Sequence, residues 1–474
     1  MATTTYPEAA LAGRSAGSSN MGLVLGIGSC LLLNAGLWIA GKPQFLRLAI
    51  PAAACLIGIL LYSVRPLTYV TFSLWVWFIA PLVRRFVDWH FGFVEPNFVL
   101  LAPFLVSGVS LLSLLPSHRV KSRVPLAFML CGAAILYGFM VGMLLQPSAE
   151  VLFGLLNWLC PLLLGLHLYL HWPQYELYKA AISRSFLWGV LILGAYGVYQ
   201  FFLPPAWDRY WLDNVLSTSP SFGLPEPLQV RVFSAVNSPG PFANVMMAGL
   251  LLLFSLRSPL KLPAAIAGYL SFLLSVVRTA WLSWVIGFIL IVKSANPRII
   301  VRLVLSILVL LACLVPLAND PRLSTVIGDR LNTFSDLGHD ESYGARLDLY
   351  RALTEDAIGH PFGYGLKTLD MAHGKIDSGL FALVFSLGWL GSAMFVIGLL
   401  FIFLGNMQAL QKSDTFLVAA QAITLAILAQ SLSGPIFVNL TAALFWVFAG
   451  IYLAGNQYHK ALATAVAEAP AARA

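Results

Sequence analysis

The sequence predicts an all-α, polytopic helical membrane protein with about 12–14 transmembrane helices and two long extracytoplasmic loops. Three observations predict it. Apolar residues make up 59% of the 474 residues and charged residues 10%, with a mean hydropathy of +0.83; soluble domains carry about 25% charged residues. Apolar runs of roughly 17–25 residues recur along the chain, the length a helix needs to cross hydrocarbon, whereas barrel strands would alternate in short segments. The acids are also unevenly spread: ten of the twenty lie between Asp320 and Asp377, in one polar block.

Taken in order, residues 1–20 are polar and rich in small side chains. They read as a cytoplasmic tail without a cleavable leader. Spans are expected near 21–40, 45–62, 67–83, 97–115, 125–145, 151–170, 185–203, 242–256, 263–276, 280–292, 299–317, 379–404, 415–433 and 437–455. They divide the chain into an N-terminal bundle over 21–203, a first outer loop over 204–241 and central helices over 242–317. A large outer loop over 318–378, C-terminal helices over 379–455 and a cytoplasmic tail over 456–474 follow. Both termini then share one side.

Charge sets that side. Arg65, Arg119, Lys121, Arg123, Lys179 and Lys261 fall in connections of one parity. That side holds fifteen Lys and Arg against four acids, and the other thirteen against sixteen. The excess marks the cytoplasm. The net charge of +8 is therefore an orientation signal. Short, separated basic loops exclude a nucleic-acid surface. All five cysteines lie in apolar runs and read as packing residues, with neither disulfide nor metal spacing.

Long loops that are not disordered are usually functional. The first is rich in Trp, Tyr, Pro and Gly and closes with Arg231, then Asn237-Ser238-Pro239-Gly240. This is a charged group on a tight turn entering a helix. A helix start offers free N–H groups and a positive dipole end to a phosphate; the bland alternative is an interface-anchoring arginine. Next comes Ser275-Val276-Val277-Arg278 between two apolar runs. A short turn there puts Arg278 on the outer side near the first loop. An arginine inside the helix would instead cost about 2.5–3.5 kcal/mol and face a cavity or partner; a snorkelling arginine is the plain reading.

In the second loop, Leu347, Tyr350, Leu353 and Ile358 recur at helical spacing over Ala345–Ile358 and predict an amphipathic helix near the interface. Arg346 opens it, as a cation for a ligand or for a nearby acid. His360-Pro361-Phe362-Gly363-Tyr364-Gly365 follows its end. His373 and Asp377 lie beside the next span, where an imidazole or carboxylate can serve as general base. Asp377 alone reads as a helix N-terminal carboxylate stabilised by the dipole. Trp207, Tyr210 and Trp211 fit sugar stacking or, more plainly, an aromatic interface belt. Arg84-Arg85 through His90 reads as ordinary outer-face sequence. No Asp-x-Asp or GxGxxG is present, so nothing in the sequence supports a metal–nucleotide enzyme.

These landmarks, in this order, resemble the O-antigen ligase/polymerase superfamily of bacterial envelope glycosyltransferases. They are Arg231 with Asn237-Ser238-Pro239-Gly240, Ser275-x-x-Arg278, Arg346 with the 360–365 motif, and Asp377-Ser378 with Gly388-Trp389-Leu390-Gly391. The resemblance covers roughly residues 185–455. It implies a glycan donor linked to a lipid, usually undecaprenyl diphosphate, used at the outer face of the bacterial inner membrane without metal, nucleotide or cofactor. The partners expected are that donor, membrane lipid and a chain-length regulator. Ligases of the family typically carry His-Asn where this chain has Asp377-Ser378, and His373 does not align with that His. A carboxylate there looks more like the exopolysaccharide polymerases. The expected assignment is thus a polymerase, with Arg231, Arg278 and Arg346 on the diphosphate and Asp377 or His373 taking the hydroxyl proton. A glycan ligase and a lipid-linked oligosaccharide flippase are the alternatives.

Overall fold

A computed structural model describes residues 16–115, 124–216, 220–294, 308, 351, 353–366, 378–404 and 414–471. Among them the chain is mostly helical, with one isolated antiparallel bridge, Gly223 to Val230, and no strand. The protein is a polytopic helical membrane protein: nine of the described helices are long and apolar enough to span a bilayer. Three shorter apolar segments, Phe98–Leu114, Pro239–Leu253 and Lys261–Leu274, lie among them.

The N-terminal bundle comprises α1 (Ala16–Ile39), α2 (Pro43–Val64), α3 (Pro66–Phe91), α4 (Ala102–Gly108), α5 (Leu126–Leu145), α6 (Ala149–Leu170) and α7 (Tyr175–Phe202). Prolines at the first positions of α2 and α3 start those helices where a missing N–H costs nothing. Helix α4 continues as 3-10 helix over Val109–Leu114. At three residues per turn that places Ser107, Ser110 and Ser113 in a row. The row is used: Tyr69 OH bonds Ser110 Oγ at 2.8 Å, Trp77 Nε1 donates to Ser107 Oγ at 2.8 Å, and Ser113 Oγ meets His167 Nδ1 at 2.8 Å. Such bonds tie helices together where apolar burial cannot.

The first long connection contains α8 (Ala206–Val215), and the centre holds α9 (Pro239–Leu253), α10 (Lys261–Leu274) and α11 (Arg278–Ser294). Then come α12 (Gly379–Leu404), α13 (Thr415–Ala429) and α14 (Asn439–Ala471). Helix α14 is the axle, with 94% of its spanning window buried. It closes on α6 through glycine: a Cβ on Gly450 would lie 2.1 Å from the Gly165 carbonyl oxygen. Small residues let backbones approach this way in membranes.

The helices alternate in direction, which gathers two sets of ends. At one, the closing turns of α3, α7 and α10 meet the starts of α9, α11, α12 and α14; this is the site end. At the other, Asp414 caps α13 through the Phe416 and Leu417 N–H groups. Its second oxygen accepts from Tyr175 OH at 2.9 Å, Lys179 Nζ at 3.1 Å and His459 Nε2 at 3.2 Å. Burial raises the carboxyl pKa, but the Lys179 charge and the donated hydrogen bonds outweigh it, and the net shift is downward.

Two boundaries differ from expectation. The seventh span begins at Tyr175 rather than near 185, because the charged turns before 185 are helical and packed: Tyr175, Tyr178 and Ile182 are fully buried. The fourth is not one α-helix, since Asn97 caps a 3-10 turn that leads into the short α4. The four described cysteines are free.

Candidate functional site

Pro204 and Pro205 end α7, and α8 folds back onto the bundle, burying Asp208, Trp211 and Leu212. Asp208 is an anchor. Its Oδ1 accepts from Arg85 Nη1 at 2.6 Å, and its Oδ2 from Tyr196 OH at 2.8 Å and Gln200 Nε2 at 2.6 Å. Arg85 also donates to the Ser234 carbonyl at 2.6 Å and lies 4.8 Å from the Phe233 ring centroid. Gln200 Oε1 accepts the Phe233 and Ser234 N–H groups at 3.1 and 2.8 Å. Two buried side chains from α3 and α7 thereby clamp the backbone that leads to Asn237.

Arg231 lies at the head of that segment. Its N–H bonds Phe222 O at 2.9 Å. Its guanidinium donates to three carbonyls: Ser221 O at 2.8 Å, Ser275 O at 3.2 Å and Val276 O at 2.9 Å. The last two belong to the turn between α10 and α11, and Val232 N–H adds a bond to Leu274 O at 3.2 Å. Val276 sits at φ +52°, a region that costs a β-branched residue about 1–3 kcal/mol. Two residues later Arg278 opens α11. The turn alternative for Arg278 therefore holds, and the Arg231 guanidinium is fastened to the turn that leads into Arg278. Leu228, Ser234, Val276 and Asn439, the non-glycine residues of positive φ among those described, all lie at this end.

Four helix starts point here: α9, α11, α12 and α14. Each contributes partial positive charge. The expectation of several free N–H groups at α9 needs correction. Pro239 and Pro241 have none, and Phe242 N–H is taken by Ser238 O at 3.2 Å. Gly240 supplies the single remaining first-turn amide, so α9 attracts an anion mainly through its dipole. At α14, Asn157 Oδ1 accepts Asn439 N–H at 3.1 Å, and Asn244 Nδ2 donates to Thr441 Oγ1 at 3.1 Å. The 3-10 turn Gln430–Leu432 packs against both α11 and α12. A Cβ on Gly379 would lie 2.4 Å from Gly434 O and 2.9 Å from Ser431 O. Ser378-Gly379, the edge of the second long loop, therefore rests on the turn that borders α11.

The motif His360–Gly365 is inserted between α5, α6 and α12. Helix α12 breaks at Gly388, where φ is +63° and ψ −179°. The break removes the ordinary bond from Trp389 N–H to Phe385 O, and the inserted motif replaces it twice over. Trp389 N–H donates to Pro361 O at 2.9 Å, and Phe385 O accepts Tyr364 N–H at 2.7 Å. Leu366 N–H reaches Gly138 O of α5 at 3.2 Å. Gly363 sits at φ +75°, and a Cβ there would lie 2.5 Å from the Gly388 nitrogen. The 360–365 and 388–391 landmarks are thus two halves of one contact.

The helical spacing upstream is partly right. Leu347 and Tyr350 lie outside the described residues; over 353–359 the chain is helical and buries Leu353 and Ala357 against Phe385, but Ile358 points outward and is 67% exposed. It follows Ala357 directly, so it faces away once Leu353 and Ala357 face inward. Trp211 belongs to a small core with Phe222, Val230 and Phe233, so neither sugar stacking nor the interface belt describes it. Trp207 donates to Tyr196 OH at 2.8 Å, and Tyr210 OH accepts Phe93 N–H at 3.0 Å.

Of the expected site residues, Arg231 and Arg278 are brought together. Arg346, His373 and Asp377 lie outside the described residues. No group of three or more His, Cys, Asp or Glu able to hold a metal occurs among the described residues. Sequence reasoning missed Arg85, Asp208 and Gln200 as the supports of Arg231; the available signal was an Arg-Arg pair closing a long apolar helix. Comparison with protein-family models and with curated sequences returns no match.

Proposed function

We propose that the protein is a metal-independent glycosyltransferase that polymerises lipid-diphosphate-linked repeat units at the outer face of the bacterial inner membrane. The observation that carries the reading is the fastening of Arg231 to the strained turn that presents Arg278, at an end where four helices begin. Helix alternation gathers the starts at this end and Arg231 holds the turn; a polyanion headgroup at the membrane surface would use both, with Arg278 beside them.

In this reading a sugar hydroxyl of one lipid-linked unit attacks the anomeric carbon of another. The new C–O bond forms as the bond to the diphosphate oxygen breaks, and the lipid diphosphate departs with the electron pair. Negative charge grows on that oxygen in the transition state, so fixed cations stabilise it more than the bound substrate. One charge pair at 4 Å is worth about 4 kcal/mol at an effective dielectric of 20. Arginine keeps its charge and matches phosphate in a bidentate fashion. Three N–H groups of Arg231 are used on carbonyls, so Arg231 adds field and holds the turn, while Arg278 makes the direct contact. Arg346 is the third cation of the proposal. Asp377, or His373, takes the hydroxyl proton; Ser378, next to Asp377, is buried beside the turn Gln430–Leu432.

The test is complementation of a polymer-deficient strain with Arg278→Ala, Arg231→Ala, Arg346→Ala and Asp377→Asn. Well-expressed variants are expected to lose long chains while single lipid-linked units accumulate outside. Units retained on the cytoplasmic leaflet would overturn the reading in favour of a flippase, and wild-type chain length in all four would remove any catalytic role.

A further inference from the structure

Asn244 is a buried polar residue of which the fold uses only one end. It lies in the second turn of α9, is 5% exposed, and packs among apolar neighbours. Its Nδ2 donates to Thr441 Oγ1, while its Oδ1 has no partner. An unpaired buried acceptor costs about 1–3 kcal/mol, and native proteins satisfy nearly all such groups. Thr441 lies in the first turn of α14, whose opening N–H groups have no carbonyl one turn back. Asn439, two residues earlier, is exposed, held at φ +56° and pinned by Asn157. An orphaned acceptor thus stands beside a helix start that donates.

We propose that Asn244 and the first turn of α14 form a hydroxyl-binding subsite for the sugar next to the diphosphate. The proposal rests on the function argued above and adds to it the residues that read the glycan. A hydroxyl both donates and accepts. It matches an orphaned Oδ1 beside the Leu440 and Thr441 N–H groups, the first-turn amides that remain once Asn157 takes Asn439 N–H and Val438 O takes Ala442 N–H, whereas a phosphate, which only accepts, would leave Oδ1 unpaired. The end of the bundle is then divided by chemistry: the arginines of 231 and 278 take charge, and the neutral groups of α9 and α14 take hydroxyls. Gln430, 8% exposed, just past the end of α13 and touching Met247 of α9, is a second neutral group.

The experiment uses the full chain in lipid nanodiscs. Binding is measured to undecaprenyl diphosphate and to the same lipid carrying one glucose, one galactose or one N-acetylglucosamine. The wild type is expected to bind at least one glycosylated lipid about 5–10-fold more tightly than the bare diphosphate. Asn244→Leu is expected to abolish that preference while leaving affinity for the bare diphosphate unchanged, and Thr441→Val to weaken it. Melting temperatures of both variants are read alongside. Loss of stability with the preference intact would make Asn244 a helix tie and overturn the proposal, as would a wild type that prefers none of the three. Failure of the parent reading looks different: the bare diphosphate would not bind, or Arg278→Ala would not weaken it.

Discussion

Arg231 Nη2 donates to the Val276 carbonyl at 2.9 Å, and Val276 is held at positive φ. The two residues are far apart in sequence, and each accounts for the other. A β-branched residue in the left-handed region stays there only when its surroundings over-determine it, and a guanidinium across Ser275 and Val276 does so.

Lysine should therefore not replace arginine at 231. An ammonium is a compact point charge and lacks the planar fork that bridges three carbonyls. Arg231→Lys is expected to lower stability by about 2 kcal/mol and to shorten polymer nearly as much as Arg231→Ala. Thermal unfolding in detergent and polymer length on gels check both halves.

A methyl group at Gly363 or Gly388 should disrupt the inserted motif. Each position combines positive φ with a Cβ contact at 2.5 Å to backbone, the Gly388 nitrogen in one case and the Phe362 carbonyl in the other. Neither neighbour is a flexible side chain. Each alanine is expected to cost upward of about 2 kcal/mol, and Gly240→Ala, with open space around it, far less. Limited proteolysis within 353–366 would report the difference.

Charge reversal of the usual stability logic is expected at Arg85 and Asp208. Both are at most 1% exposed, so Asp208→Asn should cost about 3–5 kcal/mol by leaving a buried guanidinium unpaired. Arg85→Met combined with Asp208→Leu should recover much of that stability without recovering activity, because Ser234 O loses the shorter of its two donors and keeps only Gln200 Nε2 at 3.5 Å. A thermal-shift series across wild type, single and double variants separates these outcomes.

Acid should loosen the far end first. The Asp414 carboxyl is held below its unfolded value, so its contribution is full above the unfolded carboxylate range near pH 4. It is lost as pH falls through the lower folded value. Stability of the wild type is expected to drop there more steeply than that of Asp414→Asn, measured by unfolding between pH 3 and 6.

How much of this was legible depended on the physics in play. Hydropathy follows from bilayer thickness, and nine of the expected spans coincide with described helices long and apolar enough to cross; the one expected near 299–317 lies, but for residue 308, outside the described residues. The Arg231 and Arg278 pairing was readable as order along the chain, since both flank apolar runs of one parity. The supports of Arg231 were not. Arg85, Gln200 and Asp208 sit inside or beside apolar helices, and only tertiary folding brings α3, α7 and α8 to one carbonyl. The α9 start was misjudged although its two prolines were in plain view, because a helix N-terminus was credited with amides that proline lacks. Ile358 failed for a different reason: over 353–359 the helix buries one narrow face, and the periodic pattern included an apolar residue that lies off it.

The exchange of hydrogen bonds at Gly388 bears on how the chain is made. Bare, the Trp389 amide and the Phe385 carbonyl would each face hydrocarbon, at a penalty of several kcal/mol apiece. Helix α12 therefore cannot complete its partition into lipid until residues 360–365, synthesised just before it, have slotted into place. Biogenesis of the C-terminal fifth is obliged to wait on a stretch of fewer than ten residues.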